Sequence, residues 1–346
     1  MAIFKNTQIY LIFIIIGLSS CSNRPAINLD NINLNLRIER FDQAIDSLNI
    51  NNLEEKNQIW QKQYGQFYDD YMAHMLQAGP PQDTALLFKN MRQILKTPDF
   101  RALKKSTLNT FPDLEQEEKD LTKAFKYIKY YFPQAKIPRF IAFFSGFTVQ
   151  SPINEDYIGI GLDMFLGKNS PYYPALIKSI PLYLSRRFTP ENIVPHTVET
   201  YLRQDLYPEP DNANTTNMLA LMIYNGKILY LMDQILPEVA DSLKIGYTKD
   251  QMDWAIHYEG DIWAWYIKED LLFTSDTQKI QKSFGEAPFT PALGTHNESA
   301  PKLGMFLGWQ LIRKYMEENP KMTLVKLLKT DNAQQILKES KYKGLN

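Results

Sequence analysis

Four histidines, one cysteine and a scatter of carboxylates hold whatever catalytic chemistry this chain carries. His196 and Glu199 stand three residues apart just behind Pro195. Proline suits a helix start, and residues three apart share a helix face. A histidine and a carboxylate on one face are the beginning of a zinc site. The strong zinc-protease spacing, H-E-x-x-H, needs a glutamate next to the first histidine and a second histidine one turn on. Here Thr197 and Thr200 occupy those places. Zinc takes three or more protein ligands, so the plainer reading is a polar pair near a helix N-terminus. His196 and Glu199 are candidate metal ligands on this basis alone. His257 and Glu259 flank Tyr258, and His296 sits in a loop-like stretch before Asn297 and Glu298. Both groups read as surface residues.

Other constellations are incomplete. Asp163 follows the apolar run Tyr157–Leu162 and is a conceivable active carboxylate, although a strand-end acid more commonly caps a turn. Phe144-Ser145-Gly146 lacks the leading glycine of a nucleophile elbow. Gly159-Ile160-Gly161 lacks the third glycine of a dinucleotide loop, and no Walker loop is present. Trp254, Trp263 and Trp265 fall in one segment. On a helix Trp263 and Trp265 face different sides, one for the core and one open to a partner or a glycan. No catalytic residue and no cofactor is assigned.

Cys21 has the clearest chemistry. It ends Leu18-Ser19-Ser20-Cys21, behind Lys5 and the apolar run Ile9–Leu18. That run is about ten residues, half of the ~20 that a membrane-spanning helix needs. A positive start, a short apolar stretch and small residues at the cut describe a secretory signal. The layout is that of a bacterial lipoprotein signal, with residues 1–20 removed and acyl chains such as palmitate carried on Cys21. Each buried methylene contributes about 0.8 kcal/mol, so several chains hold a protein firmly. The bland alternative is an unpaired buried thiol. As the only cysteine, Cys21 permits no intrachain disulfide. Ser22-Asn23-Arg24-Pro25 carries no acid, and the expected address is the outer membrane facing the periplasm.

The formal net charge is −1, against the basic face that nucleic-acid binding requires. Apolar residues make up 44% of the chain and aromatics 13%, ample for a core. Residues 21–30 read as a tether, and 31–346 as a single α+β domain. Ile32, Leu34, Leu36 and Ile38 alternate with polar residues, as in a half-buried strand. Residues 43–132 have helical patterning. The apolar runs Phe140–Phe144 and Tyr157–Leu162 read as two buried strands. The remainder is helical. Thr248 and Gln251 match a capping box, with Tyr247 and Met252 as the hydrophobic staple. Ser299 is the expected cap of a helix carrying Gly304 and Gly308, whose spacing favours close helix packing. The expected architecture is a small N-terminal mixed sheet and a predominantly helical remainder.

Several segments carry a family resemblance. They are Arg37-Ile38-Glu39-Arg40-Phe41-Asp42, Tyr130-Tyr131-Phe132-Pro133, Met222–Tyr230, Leu243–Thr248, Glu269-Asp270-Leu271-Leu272, and Asn297–Pro301 with Gly308-Trp309-Gln310. Together they resemble the gliding-motility lipoprotein GldB family of Bacteroidetes. The resemblance implies a cell-envelope lipoprotein required for gliding motility, with protein partners in the gliding machinery and the linked type IX secretion system. It brings no catalytic residues. The order of elements also resembles predicted zinc proteases, with His196–Thr200 where the zinc motif would lie and Tyr224-Asn225-Gly226 where a Glu-Gly would stand. By that analogy the chain is a degenerate zinc-protease-like scaffold, used for binding. The other readings are a divergent metal-dependent hydrolase and a glycan-binding envelope lipoprotein.

Overall fold

The computed structural model describes residues 27–210, 217–291, 293 and 298–344. Cys21, the residues before it and His296 lie outside the described residues.

Three strands, β1 (Ile38–Arg40), β2 (Arg139–Phe143) and β3 (Tyr157–Gly161), form one sheet in the order β1-β2-β3. Both pairings are parallel, and an isolated antiparallel bridge joins Ile153 to Ile158. Helices dominate the rest. Those that matter here are α1 (Leu53–Tyr64), α2 (Thr84–Ile94), α3 (Pro98–Thr110), α4 (Glu115–Tyr131), α5 (Ile193–Tyr201), α6 (Met218–Ile235), α7 (Lys249–His257), α8 (Glu259–Lys268) and α9 (Leu303–Glu318). The α+β class with a helical majority is as expected.

A parallel sheet buries both faces, so its strands read as continuous apolar runs. Side chains of β2 alternate between two cores. Phe140 and Ala142 join the larger one with Phe125 of α4, Val198 of α5, and the facing sides of α6 and α9. Ile141 and Phe143 join a smaller aromatic core. There the Phe41 ring is ringed edge-on by Trp60, Tyr64, Phe67, Tyr68 and Tyr71 at 4.9–6.0 Å. Edge-to-face packing of this kind adds about 0.5–1.5 kcal/mol per pair beyond area burial.

The alternation over residues 31–39 is correct for burial but not for pairing. Ile32 and Leu34 are half-buried and Leu36 is buried, yet only Ile38–Arg40 enter the ladder. Side chains of α4 take the place of a neighbouring strand. The Leu36 amide donates to Thr122 Oγ1 at 3.0 Å and the Ile38 amide to Glu118 Oε1 at 2.9 Å.

The helix that positions everything C-terminal is α6, buried on nearly all sides. It packs backbone to backbone on α9. A Cβ added at Gly308 would lie 2.0 Å from the Met222 carbonyl oxygen, and one at Gly226 would lie 2.2 Å from that of Gly308. Gly304 instead faces the Phe284 ring, 2.8 Å from where its Cβ would be. The capping box of α7 forms as expected, with Thr248 and Gln251 bonding each other's backbone, and Tyr247 and Met252 both buried. Ser299 does not cap α9. Its hydroxyl exchanges bonds with the Thr290 backbone, and Lys302 holds the N-cap position in the left-handed region, φ 52°.

Candidate functional site: a buried charge cluster around His196

The first turn of α5 sends Ile193, Val194 and Pro195 into the core. This fixes His196 and Glu199 on the adjoining face, where both line a small cavity of about 40 Å³ with Arg187, Phe188, Asn192 and Gly246. That exceeds the ~10–15 Å³ needed to admit a water. The two threonines standing where a zinc protease has its glutamate and second histidine turn back on their own helix. Thr197 Oγ1 donates to the Ile193 carbonyl at 2.7 Å, and Thr200 Oγ1 to that of His196 at 2.9 Å.

The Glu199 carboxylate is already paired with a cation. Arg203 Nε donates to Glu199 Oε1 at 2.8 Å, and its Nη1 to Asn225 Oδ1 of α6 at 3.1 Å. The Arg203 guanidinium also lies over the Tyr224 ring, 5.9 Å from its centroid. Tyr224 and Asn225 of α6 are thus tied to the His196 helix through an arginine. Lys302 enters from the N-cap of α9. Its ammonium is buried, donating to the Ile245 carbonyl at 2.7 Å and to Glu286 Oε1 at 3.0 Å. Arg187 Nη2 reaches the same Glu286 oxygen at 3.0 Å. Left-handed backbone at a non-glycine residue costs of order 1–3 kcal/mol, and at Lys302 it accompanies delivery of a buried charge.

The electrostatics follow from these neighbours. Burial lowers the His196 pKa below its ordinary value; the Glu199 carboxylate only partly offsets this and Arg187 adds to it. The imidazole is therefore neutral at pH 7. Burial alone would raise the Glu199 carboxyl, but Arg203 and then Lys302 outweigh it and hold the group below the usual glutamate range. Burial likewise lowers Lys302, against the pull of Glu286 and Glu199. A neutral imidazole and an ionised carboxylate are the ligand states a metal wants. A divalent ion there would nevertheless face the Arg203, Lys302 and Arg187 charges across a poorly screened interior. Among the described residues no three His, Cys, Asp or Glu side chains gather in metal-binding geometry.

Asp163 lies elsewhere and caps a turn. Its Oδ2 accepts the Ser145 amide at 3.1 Å and the Phe147 amide at 2.7 Å, holding Phe147 at φ 66°. Its Oδ1 is buried without a hydrogen-bond partner. Burial pushes the carboxyl up to about 6, the backbone amides of Phe147, Ser145, Asp163 and Gly146 pulling the other way. The folded pKa lies above an unfolded value near 3.9, so the folded state binds the extra proton between those limits. Stability from this group is full below about pH 4 and is lost as pH rises through about 6, by roughly 3 kcal/mol. Asp163→Asn removes the titration. Urea melts at pH 4 and pH 7 should show wild type losing up to about 3 kcal/mol relative to the variant. A wild-type-to-variant difference that stays constant with pH would rule out this charge cost.

The remaining sequence candidates separate. His257 is exposed as expected. Glu259 is not a surface residue: it is 2% exposed, and the Tyr342 hydroxyl donates to its Oε1 at 2.6 Å. Trp263 is buried, its ring 5.0 Å from that of Tyr342, while Trp265 is half-buried against the same core.

A family model described as gliding motility protein GldB matches residues 22–344. The chain belongs to the GldB family. No curated protein and no solved structure matches it. The GldB family is one of gliding-motility lipoproteins. Among the described residues no helix is long and apolar enough to cross a membrane.

Two structural junctions draw in residues of the segments that carry the GldB resemblance. Asp42 is fully buried and paired twice with Arg40, at 2.8 and 2.7 Å. Asp233 of α6 gathers Lys244, Trp309 Nε1 and both arms of Arg313 at 2.8–2.9 Å. Neither junction, nor Arg203, Lys302, Arg187 and Glu286 in the cluster above, was singled out from sequence. A lone Lys227 inside the apolar helix α6 was a visible signal. Its ammonium is buried on Tyr207 Oη and the Thr330 carbonyl, and burial pushes its pKa down to about 8.

Proposed function

We propose that this protein is a lipid-anchored component of the cell envelope that supports gliding motility by binding and assembly, not by catalysis. Acyl chains on Cys21 hold it at the outer membrane, facing the periplasm, with partners in the gliding machinery and the linked type IX secretion system. Membership of the GldB family over residues 22–344 carries the motility reading. The cluster at His196 supports the non-enzymatic part: its acids are bonded to Arg203, Arg187 and Lys302 rather than left open for a metal or a substrate.

One observation favours a second reading. His196 and Glu199 do line a common cavity, so a divergent metal-dependent hydrolase is the competing hypothesis. A single complementation experiment separates the two. Deleting the gene should abolish spreading on agar, and His196→Ala should restore it in full, with no zinc in the purified wild-type protein. Normal spreading after deletion would remove the motility role. Stoichiometric zinc, together with failed rescue by a folded His196→Ala, would establish the hydrolase reading instead.

A further inference from the structure

An open groove of about 470 Å³ runs beside α4, across the start of α5 and the connector that follows α6. Its floor is apolar, made by Ala124, Val194, Pro195, Ile235, Leu236 and Val239. All but Val239 are buried, so the floor is set before anything docks. Its rim is acidic. Glu117 and Asp120 stand on one side, Glu191 and Glu238 on the other. The one cation of the rim, Lys123, lies 2.6 Å from the Glu238 carboxylate; the two cancel and leave Glu117, Asp120 and Glu191 as the net charge of the rim. The C-terminal end of α6 opens on the groove at Ile235, and the macrodipole of this 18-residue helix adds negative potential there.

An apolar trough between rows of carboxylates complements one kind of occupant. A helix with an apolar stripe flanked by Lys and Arg seats the stripe on the floor and the cations on the rim. An anionic lipid surface meets repulsion from the same acids. A second copy related by a two-fold axis would set this rim against itself, acid on acid. We infer that the groove between α4, α5 and the 236–240 connector docks a basic amphipathic helix of a partner protein. The inference deepens the assembly reading and takes its biological meaning from it, while the binding itself stands on the groove alone.

The test uses the full-length lipoprotein in nanodiscs of zwitterionic lipid, with empty discs as the blank. The probe is a dye-labelled amphipathic helix of leucine and lysine, followed by fluorescence anisotropy. Saturable binding is expected, weakening as salt rises, with no binding of the matched leucine–glutamate helix. Glu117→Lys/Asp120→Lys/Glu191→Lys should weaken binding by roughly tenfold or more. Val239→Asn, which leaves the rim and its charge unchanged, should weaken it through the floor. Circular dichroism confirms that both variants are folded. Unchanged affinity in both variants, equal binding of the leucine–glutamate helix, or self-association that disappears in the triple variant would each overturn the inference. The two readings fail separately. Cells that spread normally with a variant that has lost peptide binding would leave the groove standing and remove its link to motility.

Discussion

Gly308→Val should unfold this protein or cost about 3 kcal/mol or more, a large fraction of the ~5–15 kcal/mol that a folded domain has. At Gly308 the backbone of α9 rests on the backbone of α6, and the added Cβ would meet the Met222 carbonyl carbon at 2.6 Å as well as its oxygen. A helix backbone cannot step aside as a side chain can, so the two helices must separate. Separation opens the larger core along both helices, where Ile223, Phe306, Leu307 and Ile312 are buried. It also pulls on the Asp233–Trp309 and Asp233–Arg313 bonds between the same helices. Gly304→Ala is the contrast. Its new methyl meets the Phe284 ring first, on a half-buried side chain that can turn, and a cost of about 1 kcal/mol is expected. Urea unfolding of the two variants reads the difference directly. A Gly308→Val protein within about 0.5 kcal/mol of wild type would mean that the helices do not meet in this way.

The burial pattern was easier to read from sequence than the partners. Period-2 alternation at Ile32–Ile38 correctly reported which side chains face inward. It carried no information on what satisfies the backbone, and Thr122 and Glu118 of α4 do that for Leu36 and Ile38. Thr248 and Gln251 were legible as a cap because both halves of the motif are local. Ser299 was misplaced because Thr290, nine residues back, competes for its hydroxyl.

The same distinction governs the candidate site. The spacing of His196 and Glu199 correctly put both on one face, and the helix pattern was enough for that. The residues that decide their chemistry come from other elements. Arg203 lies one turn beyond Glu199, and Lys302 lies far along the chain, at the start of the helix expected to carry Gly304 and Gly308. Charged residues are usually solvated, so nothing in their spacing marks the few that are buried. Glu259 was assigned to the surface for that reason, although Tyr342 closes over it.

In the proposed function a single residue holds the binding surface at a membrane. Cys21 lies outside the described residues, and its role rests on the signal that precedes it. One acyl chain gives marginal membrane binding, and two or more give stable anchoring, so losing the thiol should change retention outright rather than by degrees. The most direct measurement supplies Cys21→Ser as the only copy in cells, scores spreading on agar, and fractionates the same cells. The expected result is Cys21→Ser protein that carries no lipid, is lost from the outer-membrane fraction and fails to support spreading. Cys21→Ser protein that stays in the outer-membrane fraction while the cells spread like wild type would contradict it.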